Sequence, residues 1–230
     1  MDQNLKMFYE ENGYLILNNY FSKFTVKELK IEVKNIFFTG REMKSRVSLD
    51  VDKLKKQGVF IGLSRISSLY KETVNDSKLI GLLNEILGEE IKFVDDKVVF
   101  KDAKTDFGSP WHQDWHYWKG QHKFSLWIAL DNVTLENGCL KVVPGSHKNK
   151  IEHEDIGGDG FSKWILPENI NEQDVVSLPV EAGSIILLHD LLFHASLPNK
   201  TGEDRWAFIP TYQYSWSFRD IFEGKIKSQS

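Results

Sequence analysis

The run Gly183-Ser184-Ile185-Ile186-Leu187-Leu188-His189-Asp190-Leu191-Leu192-Phe193-His194-Ala195-Ser196 is apolar over most of its length and reads as a buried strand. Leu197 to Asp204 then carry Pro198, Asn199 and Gly202, which is turn chemistry, and Arg205 opens a second strand-like run, Trp206 to Tyr214. If the two strands pair across that turn as a hairpin, the sum of paired indices is conserved and Ser196 falls opposite Arg205. A hydroxyl and a guanidinium would then stand side by side, one same-face step from His194. Such a pair suits the far carboxylate of a small dicarboxylic acid, because arginine holds carboxylates bidentately with a charge that does not titrate away. His189 lies at an odd offset from His194, which sends the two to opposite faces of a regular strand. The company of Ser196 and Arg205 selects His194 as the histidine that faces the site.

Upstream, short runs punctuated by Gly and Pro repeat the strand pattern at Phe93 to Lys101, Phe124 to Val133, Leu140 to Pro144 and Val175 to Pro179. This predicts a mainly β fold with N-terminal helices, its core a double-stranded β-helix of the cupin-like jelly-roll type. Thr25 to Phe37 has helical apolar spacing at Val26, Leu29, Val33 and Ile36, with Thr25 as its cap. A second helix is expected from Ser77 to Leu87, ending at Gly88, and a short strand at Tyr14 to Leu17. Residues 40–70 mix Gly, Lys, Arg and Ser around an apolar patch at Val59 to Leu63 and read as an irregular lid. Without repeats or linkers, residues 1–230 read as one domain, with 1–90 mostly helical support and lid and 91–216 the jelly-roll core. Residues 40–75 and 150–172 are expected to shape the pocket mouth, the first with Arg41, Lys44, Arg46 and Arg65, the second with Glu152, Glu154, Asp155 and Asp159.

The chemistry sits in Trp111-His112-Gln113-Asp114-Trp115. Residues i and i+2 of an extended segment share a face, so His112 and Asp114 can offer an imidazole and a carboxylate to one metal ion, with His194 as third ligand. Two histidines and one carboxylate on one side of a metal leave the opposite positions open, as a non-haem Fe(II) oxygenase requires. The remaining histidines read more plainly. His147 sits in the turn Pro144-Gly145-Ser146-His147 and serves backbone groups, while His116, His122 and His153 read as partly exposed or surface residues. Lys97 and Lys101 share a strand face, read as a solvated one. Trp111, Trp115, Tyr117 and Trp118 crowd the metal segment, and Tyr212, Tyr214 and Trp216 alternate along the last strand, as core or pocket wall.

Composition narrows the class. There are 29 basic and 33 acidic residues, for a net charge of −4, and no basic stripe points to nucleic acid or membrane. The single cysteine, Cys139, excludes an intrachain disulfide framework and a cysteine-rich zinc site and suits a reducing compartment. The N-terminus, Met1-Asp2-Gln3-Asn4, shows no basic segment followed by an apolar stretch, so a cytoplasmic location is expected. The oligomeric state is not legible.

The order His112-Gln113-Asp114, Asn137-Gly138-Cys139-Leu140, Pro144-Gly145-Ser146-His147, then His194-Ala195-Ser196 and Arg205 resembles the phytanoyl-CoA dioxygenase family of Fe(II)- and 2-oxoglutarate-dependent oxygenases. The likeness spans about residues 90–215, and the opening Glu11-Asn12-Gly13-Tyr14-Leu15-Ile16-Leu17 is similar to the family's usual start. The resemblance implies that His112, Asp114 and His194 bind Fe(II), that Arg205 and Ser196 hold 2-oxoglutarate, and that O2 is the second co-substrate. Trp118 falls where ectoine hydroxylase-like members place an aromatic near the site. Related halogenases carry a small residue where Asp114 stands, so the resemblance implies hydroxylation of a small-molecule substrate, with succinate and CO2 released. The family's substrates vary widely, and the name does not specify one. Two alternatives stay open: a jelly-roll metalloenzyme that does not use 2-oxoglutarate, and a non-catalytic ligand-binding jelly roll.

Overall fold

The computed structural model describes residues 3–39, 58–101, 108–118, 122–155 and 163–215. The helices are α1 (Gln3–Asn12), α2 (Lys23–Thr39), α3 (Ser68–Val74) and α4 (Ser77–Leu87). The strands are β1 (Tyr14–Leu17), β2 (Val59–Ile61), β3 (Ile91–Lys101), β4 (Ser109–His112), β5 (Lys123–Ala129), β6 (Leu140–Val142), β7 (Glu154–Asp155), β8 (Lys163–Trp164), β9 (Val176–Leu178), β10 (Ile185–His189), β11 (His194–Ser196) and β12 (Arg205–Tyr214). A six-stranded antiparallel sheet runs β1-β10-β5-β12-β3-β2, and a four-stranded one runs β4-β11-β6-β9. The two pack as a jelly roll, as the strand pattern predicts.

Period-two alternation separates the two faces of the large sheet. On one face Val98, Phe100, Leu126, Ile128, Leu187, Trp206 and Phe208 pack against Leu29, Val33 and Phe37 of α2, Tyr70 of α3 and Leu79 and Leu83 of α4. On the other, Trp127, Ala129, Ile186, Ala207 and Ile209 meet Leu140, Val142 and Leu178 of the small sheet. The site lies in that space between the sheets. Its floor is therefore the inward-facing set at alternate positions of β3, β12 and β5.

The helix from Ser77 to Leu87 appears with the bounds its pattern predicts, and Gly88 closes it in a left-handed conformation at φ 74°. The cap of α2 differs from expectation: the Thr25 N–H donates to the Ser22 hydroxyl, so Ser22 rather than Thr25 fills the capping role. Val59–Ile61, read as an irregular patch, is strand β2 on the edge of the large sheet, paired with Val99 to Lys97. Three residues are too few to show a period, and the strand is held by its partner. Arg41, Lys44, Arg46, Asp159 and Trp216 lie outside the described residues.

The largest correction concerns the run that decides the fold. It is not one strand: β10 ends at His189, a turn follows, and β11 begins at His194 in the other sheet. β11 pairs with β4 and β6, while β12 pairs with β3 and β5, so no β11–β12 hairpin forms. Leu192 and Phe193 in the crossing are as buried as a strand interior, and so is Asp190, the one charged residue of the turn, so the crossing does not read as an exposed loop. His189 and His194 are thus separated by a change of sheet, not by strand parity.

Candidate metal centre

His112 is the last residue of β4, and its cross-strand partner is His194, the first residue of β11. Gln113 continues the extended backbone at φ −113° and ψ 129°, and Asp114 begins a 3-10 turn, Asp114–Tyr117. The i, i+2 relationship therefore survives through the extended Gln113, although the strand itself stops at His112. Asp114 Oδ1 lies 3.7 Å from His112 Nε2 and 3.9 Å from His194 Nε2. Donors around a single ion at about 2.1 Å are at most about 4.2 Å apart, so these separations suit one metal. Among the described residues this is the one group of three or more such side chains whose donor atoms all lie within 4.8 Å of one another, and all three are buried.

The imidazoles are fixed by the main chain. His112 Nδ1 contacts the Pro110 carbonyl at 2.8 Å, and His194 Nδ1 contacts the Leu192 carbonyl at 2.9 Å. A carbonyl only accepts, so each Nδ1 carries the proton and each Nε2 presents a lone pair to the centre. Burial, and then the neighbouring His194, lower the pKa of His112 to about 3, which keeps it neutral and able to ligate. Burial opposes ionisation of Asp114, but His194, Lys97, His112 and a 3.1 Å bond from the Ser125 hydroxyl to Oδ2 outweigh it and hold the carboxyl below its usual range. His112 and Asp114 are therefore in the protonation states that metal binding needs.

Gln113, between the two ligands, is completely buried. Its Nε2 donates to the carbonyls of Asn149 at 2.9 Å and Leu191 at 2.7 Å, and its Oε1 accepts the Ile151 N–H at 3.3 Å. Its backbone N–H donates to His153 Nε2 at 2.8 Å. His153, read as a surface residue, is therefore a support of the metal segment, with the His116 ring against it at a centroid distance of 3.8 Å. Sequence offers no signal for this, because residue 153 reaches back forty positions across the fold. His147 does serve a backbone group, through Nε2 and the Glu10 carbonyl at 3.1 Å. His122 is half exposed, and its Nδ1 donates to buried Asp190 at 2.8 Å, a hydrogen bond that raises its pKa.

Ser196 and Arg205 are not hairpin partners; Lys101 stands between them. Arg205 pairs in register with Lys101 across β12 and β3, and Lys101 Nζ donates to Ser196 Oγ at 2.8 Å and to the Leu197 carbonyl. Both cations are 1% exposed, so the solvated-face reading of Lys101 is corrected. Lys101 lies on the inward face of β3, where Ser196, Leu197 and Gly138 cover its ammonium. Gly138 permits the approach: at φ 95°, a Cβ there would sit 2.6 Å from the Leu197 carbonyl oxygen and 3.2 Å from Lys101 Nζ. The Arg205 guanidinium lies 5.1 Å over the Trp127 ring, and its Nε and Nη1 are buried without a hydrogen-bond partner among the described residues. Burial lowers its pKa to about 10, so it stays charged at neutral pH. Trp118 closes the turn that carries Asp114 and lies under Lys123, 5.6 Å from its ring centroid, at the end of β12 remote from Arg205.

Comparison with known proteins places the chain. The family profile for phytanoyl-CoA dioxygenase matches residues 9–207, so the chain belongs to that family of Fe(II)- and 2-oxoglutarate-dependent oxygenases. It is 32% identical over 201 residues to a phytanoyl-CoA dioxygenase of Arabidopsis thaliana, covering 81% of this chain and 71% of that protein. It is 26% identical over 231 residues to L-proline trans-4-hydroxylase of Streptomyces griseoviridis, covering 90% and 84%. EctD from S. alaskensis, with 2-oxoglutarate and 5-hydroxyectoine, superposes with a TM-score of 0.76 at 19% identity over 93% of this chain and 76% of that one, a likeness of fold. No helix among the described residues is long and apolar enough to cross a membrane.

Proposed function

We propose that this member of the phytanoyl-CoA dioxygenase family hydroxylates an unactivated C–H bond of a small polar metabolite, releasing succinate and CO2. The observation that carries the reading is the buried Arg205 guanidinium with two unpartnered nitrogens, set in the same space between the sheets as the His112, Asp114 and His194 triad. A buried guanidinium whose Nε and Nη1 lack hydrogen-bond partners costs roughly several kcal/mol, which favours a ligand anion there. A metalloenzyme that did not use 2-oxoglutarate would have no use for it.

When bound, Fe(II) and 2-oxoglutarate together supply an oxidant derived from O2. His112, Asp114 and His194 would hold the metal from one side and leave the opposite positions to co-substrates. Arg205 and Lys101 would receive the distal carboxylate of 2-oxoglutarate. Ser196 already accepts from Ser109 N–H and Lys101, so its own hydroxyl hydrogen is left to donate, to Ser109 or to that carboxylate. Ser125 orients Asp114, and Trp118 with Tyr117 would wall the metal side of the pocket and limit the entry of water. The Streptomyces relative, named for L-proline, makes a small metabolite the natural substrate size. A cytoplasmic setting suits a chain whose one cysteine is free and buried.

The test is anaerobic addition of Fe(II) and 2-oxoglutarate to the metal-free protein, following the visible charge-transfer band. A band in the wild type that disappears in Asp114→Ala and weakens in Arg205→Ala supports the reading. No band, with no binding of either component by calorimetry, leaves a ligand-binding jelly roll instead.

A further inference from the structure

Lys97 stands on the inward face of β3, two same-face steps from Lys101 and in register with Ile209 of β12 and Ile61 of β2. Its side chain is partly buried. Across β12 the same inward face carries Ser125 of β5, whose hydroxyl bonds Asp114, so Lys97 stands on the wall of the space that holds the triad. No hydrogen bond or ion pair to another described residue engages it. The carboxylates near it are committed elsewhere: Asp95 to Arg65 at 2.8 Å, Asp96 to the amides of Leu63 and Ser64, and Asp114 to the metal triad and Ser125.

Charge balance tells against a role for Lys97 in holding 2-oxoglutarate. With that co-substrate and a divalent metal in place, Lys101 and Arg205 already leave the buried centre net positive. A third cation in the same space is unfavourable unless a further anion arrives with it. The surface beside Lys97 is apolar. Ile209 is buried, whereas its other register partner, Ile61, is 48% exposed at the sheet edge. A ligand entering over Ile61 meets an aliphatic wall first and an ammonium next.

We propose that Lys97 selects the substrate by receiving its carboxylate, so that the compound oxidised is a small organic acid whose apolar body lies along Ile61 and Ile209. This rests on the oxygenase reading above, and it adds the substrate class and the residue that determines it. A carboxylate held at Lys97 would place the carbons next to it near the open side of the triad, within reach of the oxidant.

The experiment uses the protein loaded anaerobically with Fe(II) and 2-oxoglutarate. The probes are the free amino acids and the short aliphatic and aromatic monocarboxylic acids, each beside its primary amide, read by calorimetry and by perturbation of the charge-transfer band. The expected result is that one or more acids bind in clear preference to their amides. Lys97→Met keeps the aliphatic stem and so the fold. It should lower acid affinity on the order of tenfold to a hundredfold and abolish the preference, with 2-oxoglutarate affinity unchanged. Lys97→Arg should retain the preference. Wild-type protein that binds no acid better than its amide overturns the proposal, as does a Lys97→Met variant that loses 2-oxoglutarate affinity while keeping any acid preference. A wild type that forms no band at all fails earlier, on the oxygenase reading itself, before any acid is added.

Discussion

His112 and His194 are cross-strand partners with ring centroids 4.1 Å apart, and each is anchored through Nδ1 to a carbonyl two residues before it in sequence. Antiparallel pairing brings the two rings together, and the anchors turn both Nε2 atoms to the same point. The ligand geometry is thus set by strand pairing and main-chain hydrogen bonds. Titration of the metal-free protein with Co(II) should leave the far-ultraviolet circular dichroism unchanged while the visible Co(II) spectrum develops. A large gain in ordered structure on metal addition would show that the site forms only with its ion.

Ser125 is placed to orient Asp114 from the large sheet, through its hydroxyl bond to Oδ2. Ser125→Ala removes that bond and little else, since the site is otherwise buried. Metal affinity should fall by roughly tenfold or more, the usual consequence of losing a group that orients a ligand. The melting temperature of the metal-free protein should scarcely move. Competition with a chromogenic chelator measures the first and differential scanning fluorimetry the second.

Gln113 joins three backbone segments from a fully buried position. Gln113→Ala leaves the Asn149 and Leu191 carbonyls without that donor and opens a cavity. A loss of about 3 kcal/mol is expected, from hydrogen bonds worth about 1 kcal/mol each and the space left behind. Urea denaturation of the metal-free protein measures it, and a loss under about 1 kcal/mol would show that the segment is held by His153 and packing alone.

Arg205→Met should separate stability from binding. Removing a buried cation with two unpartnered nitrogens relieves a desolvation cost, so the metal-free protein should be no less stable and could gain about 1 kcal/mol or more. Affinity for 2-oxoglutarate should fall by about 2–5 kcal/mol, the cost of truncating one partner of a buried charge pair. Calorimetry with and without 2-oxoglutarate decides both. A strongly destabilised variant would mark Arg205 as structural.

His153 accepts the Gln113 N–H only as a neutral ring, and burial followed by the charge of His116 lowers its pKa to about 4. The folded value is then below the unfolded one of about 6.5, so between them the unfolded chain binds the extra proton. This contribution to stability is complete above about pH 6.5 and is lost as the pH falls towards 4. Melting temperatures of the metal-free protein should decline across that window. His153→Gln, which can still accept the bond but does not titrate, should show a shallower decline.

Much of the site was legible in sequence because the relevant rules are local. His112-Gln113-Asp114 shares a face by backbone geometry alone, and Gly88 ends its helix by its own conformational freedom. The two helices of the N-terminal part showed in their apolar spacing, as did the long strands of the large sheet. What failed was the inference from one strand to its neighbour. Gly183 to Ser196 is broken only by His189-Asp190, and Asp190 is buried, so the change of sheet there has the burial of a strand interior.

The sequence by itself determined the fold class, the family and the three metal ligands, since each depends on residue type, order and short-range periodicity. Tertiary structure alone decided that Lys101, in register with Arg205, bonds Ser196, that His153 supports Gln113, and that Lys97 shares an inward face with Ser125. These are pairings between distant segments, fixed by strand register and by which sheet each strand joins. No window of the chain holds that information, because it resides in the packing of the two sheets.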